Sequence, residues 1–346
     1  MKNSVIGVLV NDVHLNKDNG SLVKSIFNQL IKICKDNDTN TIFCGGDVFT
    51  NRSGQPLSCL TDWDEILNKL NKNNVKLYAI PGNHDKTDSQ SNKSYLCIFS
   101  NPCFTLYSEA SVVNLDKVCL VFIPYFDDES WLNEYNKIKG DIDFNKTTIL
   151  ITHSGFDGVK NNDGSSVESI IKPSMFENFT KVLIGHYHNA SKISNNIYYT
   201  GSAYQNNFGE TFDDKGCTLI YQDGTIKFVP LKFPRYIKEI VNIDDKETLR
   251  NLLDKYGDKS EDNVRFVFRG KKVDADKVDL SLLSSLGISA TFEAIETEDA
   301  MKISEDDASV MCYDKSMIKK DFVKFCSENS IKGKQLKYGM KLINSL

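Results

Sequence analysis

Ile80-Pro81-Gly82-Asn83-His84-Asp85 is the stretch from which the fold can be read. An apolar, strand-like run through Val75, Leu77, Tyr78 and Ile80 stops at Pro81-Gly82, and Asn83, His84 and Asp85 follow on a tight turn. Gly, Pro, Asn and Asp are ordinary turn residues. A histidine held between Asn and Asp is not. It sets an amide ligand, a titratable imidazole and a carboxylate side by side beyond a strand end.

The other histidines fall in the same kind of place. The chain has five: His14, His84, His153, His186 and His188. Asp12 and His14 follow the apolar run 5–10, and Gly45-Gly46-Asp47 follows 41–44. His153 follows 149–152, and Gly185-His186-Tyr187-His188 follows 182–184. Polar ligand types thus close five successive strands, which is where open α/β sheets place their sites. Asp12-Val13-His14 and His186-Tyr187-His188 share a period of two, so in an extended backbone both side chains of each pair point the same way.

Composition sets the frame. A chain of 346 residues, 40% apolar and 26% charged, can build one large domain and a smaller one. Nine cysteines are scattered without a Cys-x-x-Cys pair, which implies reduced cytosolic thiols. The run 5–10 is too short for a secretory apolar region, and nothing approaches the roughly 18–20 apolar residues of a membrane helix. A cytoplasmic protein without a membrane contact is expected. The net charge of −5 does not advertise nucleic-acid binding, but it is unevenly spread. Residues 314–346 carry eight Lys against Asp314, Asp321 and Glu328, while 293–307 is acidic.

From 5 to about 231, short apolar runs alternate with helical stretches. Leu22, Ile26, Leu30 and Ile33 recur at helical spacing over 21–35, as do Leu60, Trp63, Leu67 and Leu70 over 57–70. Strands then follow closely at 111–115, 117–123, 197–199, 217–221 and 225–231. This order predicts an α+β fold, a two-sheet αββα sandwich over 1–232. Past Pro230 and Pro234 a β-α-β-α-β pattern over 235–296 predicts a small α/β capping domain. An acidic linker over 297–313 and a helical tail over 314–346 complete the chain. Ile318, Phe322 and Phe325, then Leu336, Met340 and Ile343, give that tail two basic amphipathic stripes, suited to docking on a partner or to capping the core.

The candidate donors are Asp12, His14, Asp47, Asn83, His153, His186 and His188, with His84 left over. Oxygen and imidazole donors without thiolate suit Mn²⁺, Fe²⁺ or Zn²⁺ rather than a structural Cys-type zinc site. Seven donors are too many for one ion and natural for two, with one carboxylate bridging. Such a pair activates water and stabilises both oxygens of a phosphoryl displacement. The spare imidazole is then free to protonate a leaving oxygen or to hold a phosphate oxygen.

In this order, Asp-x-His, Gly-Asp, Gly-Asn-His-Asp, His and Gly-His-x-His resemble the calcineurin-like metallophosphoesterases. The resemblance implies that Asp12, His14, Asp47 and His188 hold one metal. Asp47, Asn83, His153 and His186 hold the other, so that Asp47 bridges. His84 becomes the catalytic non-ligand, an acid or a phosphate contact, with Asp85 orienting it. Gly201-Ser202 and Phe208-Gly209-Glu210 resemble a segment of SbcD-type DNA repair nucleases, and the short chain looks most like the phage recombination endonuclease subunits of that group. That likeness implies two divalent ions, Mn²⁺ in particular, and cutting of DNA ends and single strands. It also implies a homodimer formed through the catalytic domain and an SMC-like coiled-coil ATPase gripped by 314–346.

The rival readings are another dimetal phosphoesterase, a phosphatase or a nucleotide phosphodiesterase, and a non-catalytic scaffold. Protein phosphatases of the superfamily resemble Gly-Asp-x-Val-Asp-Arg-Gly at the second motif, whereas here Gly46-Asp47-Val48-Phe49-Thr50-Asn51-Arg52 stands. A nucleotide phosphodiesterase leaves the capping domain and basic tail unexplained. A non-catalytic scaffold of the same fold should have lost donors, and all seven are present.

Overall fold

Apolar runs that alternate at period two between a helix layer and a second sheet fix the architecture. The computed structural model describes residues 3–159, 166–210, 214–257, 261–270 and 280–294. In chain order it opens with β1 (Val5–Val10), α1 (Gly20–Asp36), β2 (Thr41–Cys44), α2 (Leu57–Lys72), β3 (Lys76–Ala79) and β4 (Phe104–Leu106). There follow β5 (Ser111–Asn114), β6 (Val118–Ile123), α3 (Asp128–Ile138), β7 (Thr147–His153), β8 (Lys181–Gly185), β9 (Ser191–Lys192) and β10 (Ile197–Tyr199). The remainder is β11 (Gly216–Tyr221), β12 (Ile226–Pro230), β13 (Tyr236–Asn242), α4 (Lys246–Tyr256), β14 (Asn263–Gly270), α5 (Leu280–Ser285) and β15 (Ser289–Ala294).

Sheet one has the order β12-β11-β1-β2-β3-β4, and sheet two the order β5-β6-β7-β8-β10-β9. In sheet one β1 to β4 run parallel and β11 returns antiparallel to β1. In sheet two β6, β7, β8 and β10 run parallel, with β5 and β9 antiparallel at the edges. The central strands are buried on both faces, which is why they read as unbroken apolar runs.

Alternate residues go to different layers. Val8, Val10, Ile42 and Cys44 face α1 and α2, packing with Phe27, Leu30, Trp63 and Leu67. Leu9, Phe43 and Ile220 face the other way, against Leu120, Phe122, Ile149, Ile151 and Leu183 of sheet two. On the far side, Val121, Ile123, Leu150, Val182 and Ile184 pack with Trp131 of α3 and with Phe156 and Phe176. The expected αββα sandwich is therefore the observed one. The five strands that carry the donors are not neighbours in one sheet: β1, β2 and β3 belong to sheet one, β7 and β8 to sheet two.

Helix α3 has no counterpart among the sequence expectations. Only Trp131 and Glu134 are buried along it, so its apolar stripe is too thin to read. It starts because the Asp127 carboxylate accepts from Ser130 N at 2.9 Å, a side-chain N-cap. Seven cysteines among the described residues are free. No described helix is long and apolar enough to cross a membrane.

The described residues fall into two compact units: those of 3–241, 246–267 and 280–291, and those of 242–245, 268–270 and 292–294. Strands β13, β14 and β15 make a three-stranded sheet with β14 in the middle. Of the expected α4 face, Tyr256 is buried and Leu249, Leu252 and Leu253 are half-buried. The linker 297–313 and the tail 314–346 lie outside the described residues.

Candidate metal centre

The loops after β1, β2 and β3 are laced to one another by their backbones. Asp12 N donates to Gly46 O at 3.1 Å, His14 N to Asp47 O at 3.0 Å and Leu15 N to Val48 O at 2.7 Å. The buried Asp85 carboxylate accepts from the amides of Gly82 (2.8 Å), Phe49 (2.9 Å) and Val48 (3.2 Å), tying the β3 loop to the β2 loop. Asp85 therefore orients backbone, not the His84 ring, which corrects the role the resemblance implied. The His84 ring is held instead by the Thr50 carbonyl at Nδ1 and by Arg52 Nη2, 3.4 Å from Nε2.

Left-handed backbone marks the donors. Asp12, His14, Asp47 and His186 have φ of 53°, 43°, 53° and 94°. Non-glycine residues with such values are strained, and they persist where surrounding structure over-determines them, often at functional sites. The expectation of an extended Asp-x-His is corrected accordingly: both side chains reach the cluster from a coiled loop. Glycine supplies the room. A Cβ on Gly46, itself at φ 105°, would lie 2.4 Å from His153 Nδ1, and one on Gly82 would lie 2.2 Å from Asp47 Oδ1.

All seven candidate donors come together. His14 Nε2 faces His188 Nε2 at 2.9 Å, with Asp12 beside them. Asn83 Oδ1 lies 3.0 Å from His153 Nε2 and 2.9 Å from His186 Nδ1. Asp47 Oδ2 stands between the two groups, 3.7 Å from His14 Nε2 and 3.4 Å from His153 Nε2. Its other oxygen accepts the His84 backbone N–H at 2.8 Å. One carboxylate oxygen is thereby pinned and the other is left facing both groups. His84 lies on the rim, its ring 5.0 Å from that of His14.

Second nitrogens fix the imidazoles. His153 Nδ1 donates to Gly45 O at 2.8 Å, so Nε2 turns inward. His188 Nδ1 meets Glu210 Oε1 at 2.8 Å, and Glu210 pairs with the fully buried Lys215 at 3.0 Å. Carboxylate–imidazole pairs of this kind orient a metal-binding histidine and raise its basicity. Sequence reading found Glu210 through its Phe-Gly-Glu segment but gave it no role. Lys215 carried no signal at all.

The electrostatics fit divalent cations. Burial drops His14 to about 4 and His186 to about 3, so both present neutral nitrogen lone pairs. Burial pushes the Asp12 carboxyl up to about 6. Burial also pushes Asp47 upward, but the charges of His153 and His14 outweigh it and hold it well below the carboxylate range. Burial lowers His153 as well, and Asp47 more than reverses this, to about 9. A buried cluster that draws a proton onto His153 beside Asp47 wants positive charge there. Oxygen and imidazole donors, without thiolate, suit a hard or borderline divalent ion.

A two-sheet αββα fold carrying such a centre at its strand ends defines a metallophosphoesterase. The sequence profile of the calcineurin-like phosphoesterases matches residues 8–270, and the chain belongs to that family. Among relatives, the chain is 28% identical over 283 residues to the SbcD component of the nuclease SbcCD from Staphylococcus epidermidis, covering 72% of each protein. It is 22% identical over 246 residues to protein 244L of Invertebrate iridescent virus 6, a phosphoesterase by name, covering 70% of this chain and 84% of the relative. The calcineurin-like phosphoesterase YfkN of Bacillus subtilis is 14% identical with a TM-score of 0.38, covering 66% of this chain and 89% of that one.

Proposed function

We propose that the chain is a metal-dependent DNA nuclease, an exonuclease on DNA ends and an endonuclease on single strands, working with two Mn²⁺ ions. The observation that carries the reading is the convergence of seven oxygen and imidazole donors around Asp47 Oδ2, with His84 beside His14 and Asp47 at the rim. Asp12, His14, Asp47 and His188 would hold one ion, and Asp47, Asn83, His153 and His186 the other. Bound there, two such ions supply an activated water and positive charge for the phosphate oxygens. His84 contributes what the donors cannot. A carbonyl only accepts, so the Thr50 contact keeps a proton on Nδ1, and in the imidazolium form the second proton, on Nε2, would pass to the departing 3′ oxygen and leave the ring neutral.

Likeness to the SbcD component of the nuclease SbcCD supports a nucleic acid as the substrate, and the second motif departs from that of the protein phosphatases. On the same footing we propose service in DNA recombination and repair, in the cytoplasm, as a homodimer with an SMC-like ATPase docked on 314–346. Deleting that segment should abolish co-purification with the ATPase while metal content stays unchanged.

The deciding assay is hydrolysis with Mn²⁺, comparing end-labelled linear DNA with an aryl phosphate ester. The expected outcome is DNA shortening that chelator abolishes and His84→Ala suppresses at unchanged metal content. Ester hydrolysis with untouched DNA would replace the nuclease by a small-molecule phosphoesterase.

A further inference from the structure

We propose that Arg52 is a substrate contact: its guanidinium receives a non-bridging phosphate oxygen at the metal centre, an inference that rests on the phosphoester reading of that centre. Arg52 lies five residues beyond Asp47, on the loop whose Thr50 carbonyl holds His84. Its side chain is exposed, but its backbone is fixed, because Tyr95 OH donates to Arg52 O at 2.8 Å. The neighbouring Asn51 is fastened too, its side chain accepting from Ser53 N at 3.0 Å. The guanidinium therefore starts from a set point on the rim, with Nη2 3.4 Å from His84 Nε2.

Nothing acidic is waiting for it. Arg235 pairs with Asp262 and Arg269 with Glu293, while Arg265 lies over the Phe208 ring. Among the described residues no carboxylate stands within ion-pair distance of Arg52. What it does touch is the Asn83 amide.

That contact is a conflict between donors. With Asn83 Oδ1 turned toward His153 Nε2 and His186 Nδ1, as an oxygen ligand requires, its NH₂ group faces Arg52 Nη2. Turning the amide over would pair its oxygen with Arg52. It would also aim the NH₂ at both imidazoles and at Asp47 Oδ2, where a cation belongs. If the Arg52 side chain swings outward from this contact, an anion oxygen can accept from both groups and leave Oδ1 facing inward. The guanidinium fork suits a phosphate better than a point charge does.

The test uses the full chain loaded with Mn²⁺, as wild type, Arg52→Ala and Arg52→Lys. Three quantities are read: metal content, the dissociation constant of inorganic phosphate by calorimetry, and kcat and KM for an aryl phosphodiester. Metal content should be unchanged. Phosphate binding should weaken by about 10- to 100-fold in Arg52→Ala, the range for losing a charge-assisted hydrogen bond. Arg52→Lys should recover only part of it, and KM should rise with the phosphate constant. Unchanged phosphate affinity in Arg52→Ala would overturn the proposal. So would lost metal content, which would make Arg52 a support for Asn83. Arg52-dependent phosphate binding without any phosphodiester cleavage would sustain the contact and sink the hydrolase reading.

Discussion

The two sheets feed the metal centre in different ways. Sheet one supplies every oxygen donor (Asp12, Asp47 and Asn83) together with His14, from loops with left-handed backbone laced by main-chain hydrogen bonds. Sheet two supplies His153, His186 and His188 alone, and two of these are set by what grips the second ring nitrogen. A carboxylate on a short stem can be aimed only by aiming its backbone. An imidazole has a second nitrogen through which a neighbour can aim it. The sheet-one half is thus built by chain geometry, whereas in the sheet-two half His153 and His188 are aimed through the second ring nitrogen and His186 alone shares the left-handed backbone, at φ 94°. The two halves should fail differently when broken.

Asp47 belongs to both, since Oδ2 faces His14 on one side and His153 on the other. Asp47→Asn keeps the shape and removes the charge. Metal content should fall below two ions per chain and hydrolysis should drop at least about 10²–10³-fold, as when a transition-state-stabilising group is lost. Two ions retained with normal turnover would remove Asp47 from the junction. Metal analysis beside a rate assay decides it.

How far the sequence discloses this follows the same divide. The αββα order was legible because parallel strands buried on both faces leave unbroken apolar runs, and α1 and α2 leave clear stripes of Leu, Ile and Trp. The cluster of candidate donors was legible because its members fall where those runs stop. The geometry that aims them was not. Positive φ at Asp12 and His14 made a period-two argument from extended backbone wrong in its reason, though both side chains reach the cluster. Asp85 beside His84 suggested a side-chain pair, but nothing in the sequence shows that three amides from two loops claim its carboxylate. Lys215 looks like any surface lysine until Glu210 and the His188 carbonyl are seen around its ammonium.

Breaking the sheet-one half calls for Asp85→Ala. It leaves the buried amides of Gly82, Val48 and Phe49 without an acceptor, at about 1–3 kcal/mol each. A stability loss of about 3 kcal/mol or more is expected from urea denaturation of the metal-free chain. Both metal groups should weaken together, because one clip sets Asp47, Asn83 and the His84 turn. Loss confined to one ion would show that the loops are aimed independently.

Glu210→Ala breaks the sheet-two half more gently. Removing the partner of His188 Nδ1 should weaken binding at the His188 ion by about 10- to 100-fold, leaving the His153 and His186 ion in place. A pH signature accompanies it in the metal-free chain. Burial pushes the Glu210 carboxyl upward, but His188 and Lys215 outweigh this and hold it at about 2, below the ordinary 4.5. A carboxyl lowered on folding stabilises the fold at pH above 4.5, and that contribution disappears as pH falls toward 2. Acid unfolding of Glu210→Ala should therefore be flatter over this interval than that of the wild type. Parallel curves would mean that Glu210 does not differ between the folded and unfolded chains.

The smallest expected effect separates a carboxylate lock from a diffuse network. Ser202 Oγ donates to Tyr204 O at 2.8 Å and reaches Glu210 Oε2 at 3.4 Å, a long contact. Ser202→Ala removes both, and a further 3.4 Å contact of Oγ to His188 O, yet Glu210 keeps His188 at 2.8 Å and Lys215 at 3.0 Å. Stability should fall by about 1 kcal/mol, the net worth of an ordinary hydrogen bond. The affinity for the His188 ion should stay as in the wild type, because the two charged partners still fix the carboxylate. A loss approaching that of Glu210→Ala would mean that the hydroxyl shares in aiming His188. The sheet-two half would then rest on a cooperative polar network, and its contrast with the backbone-laced half would narrow to a difference in atoms rather than in kind.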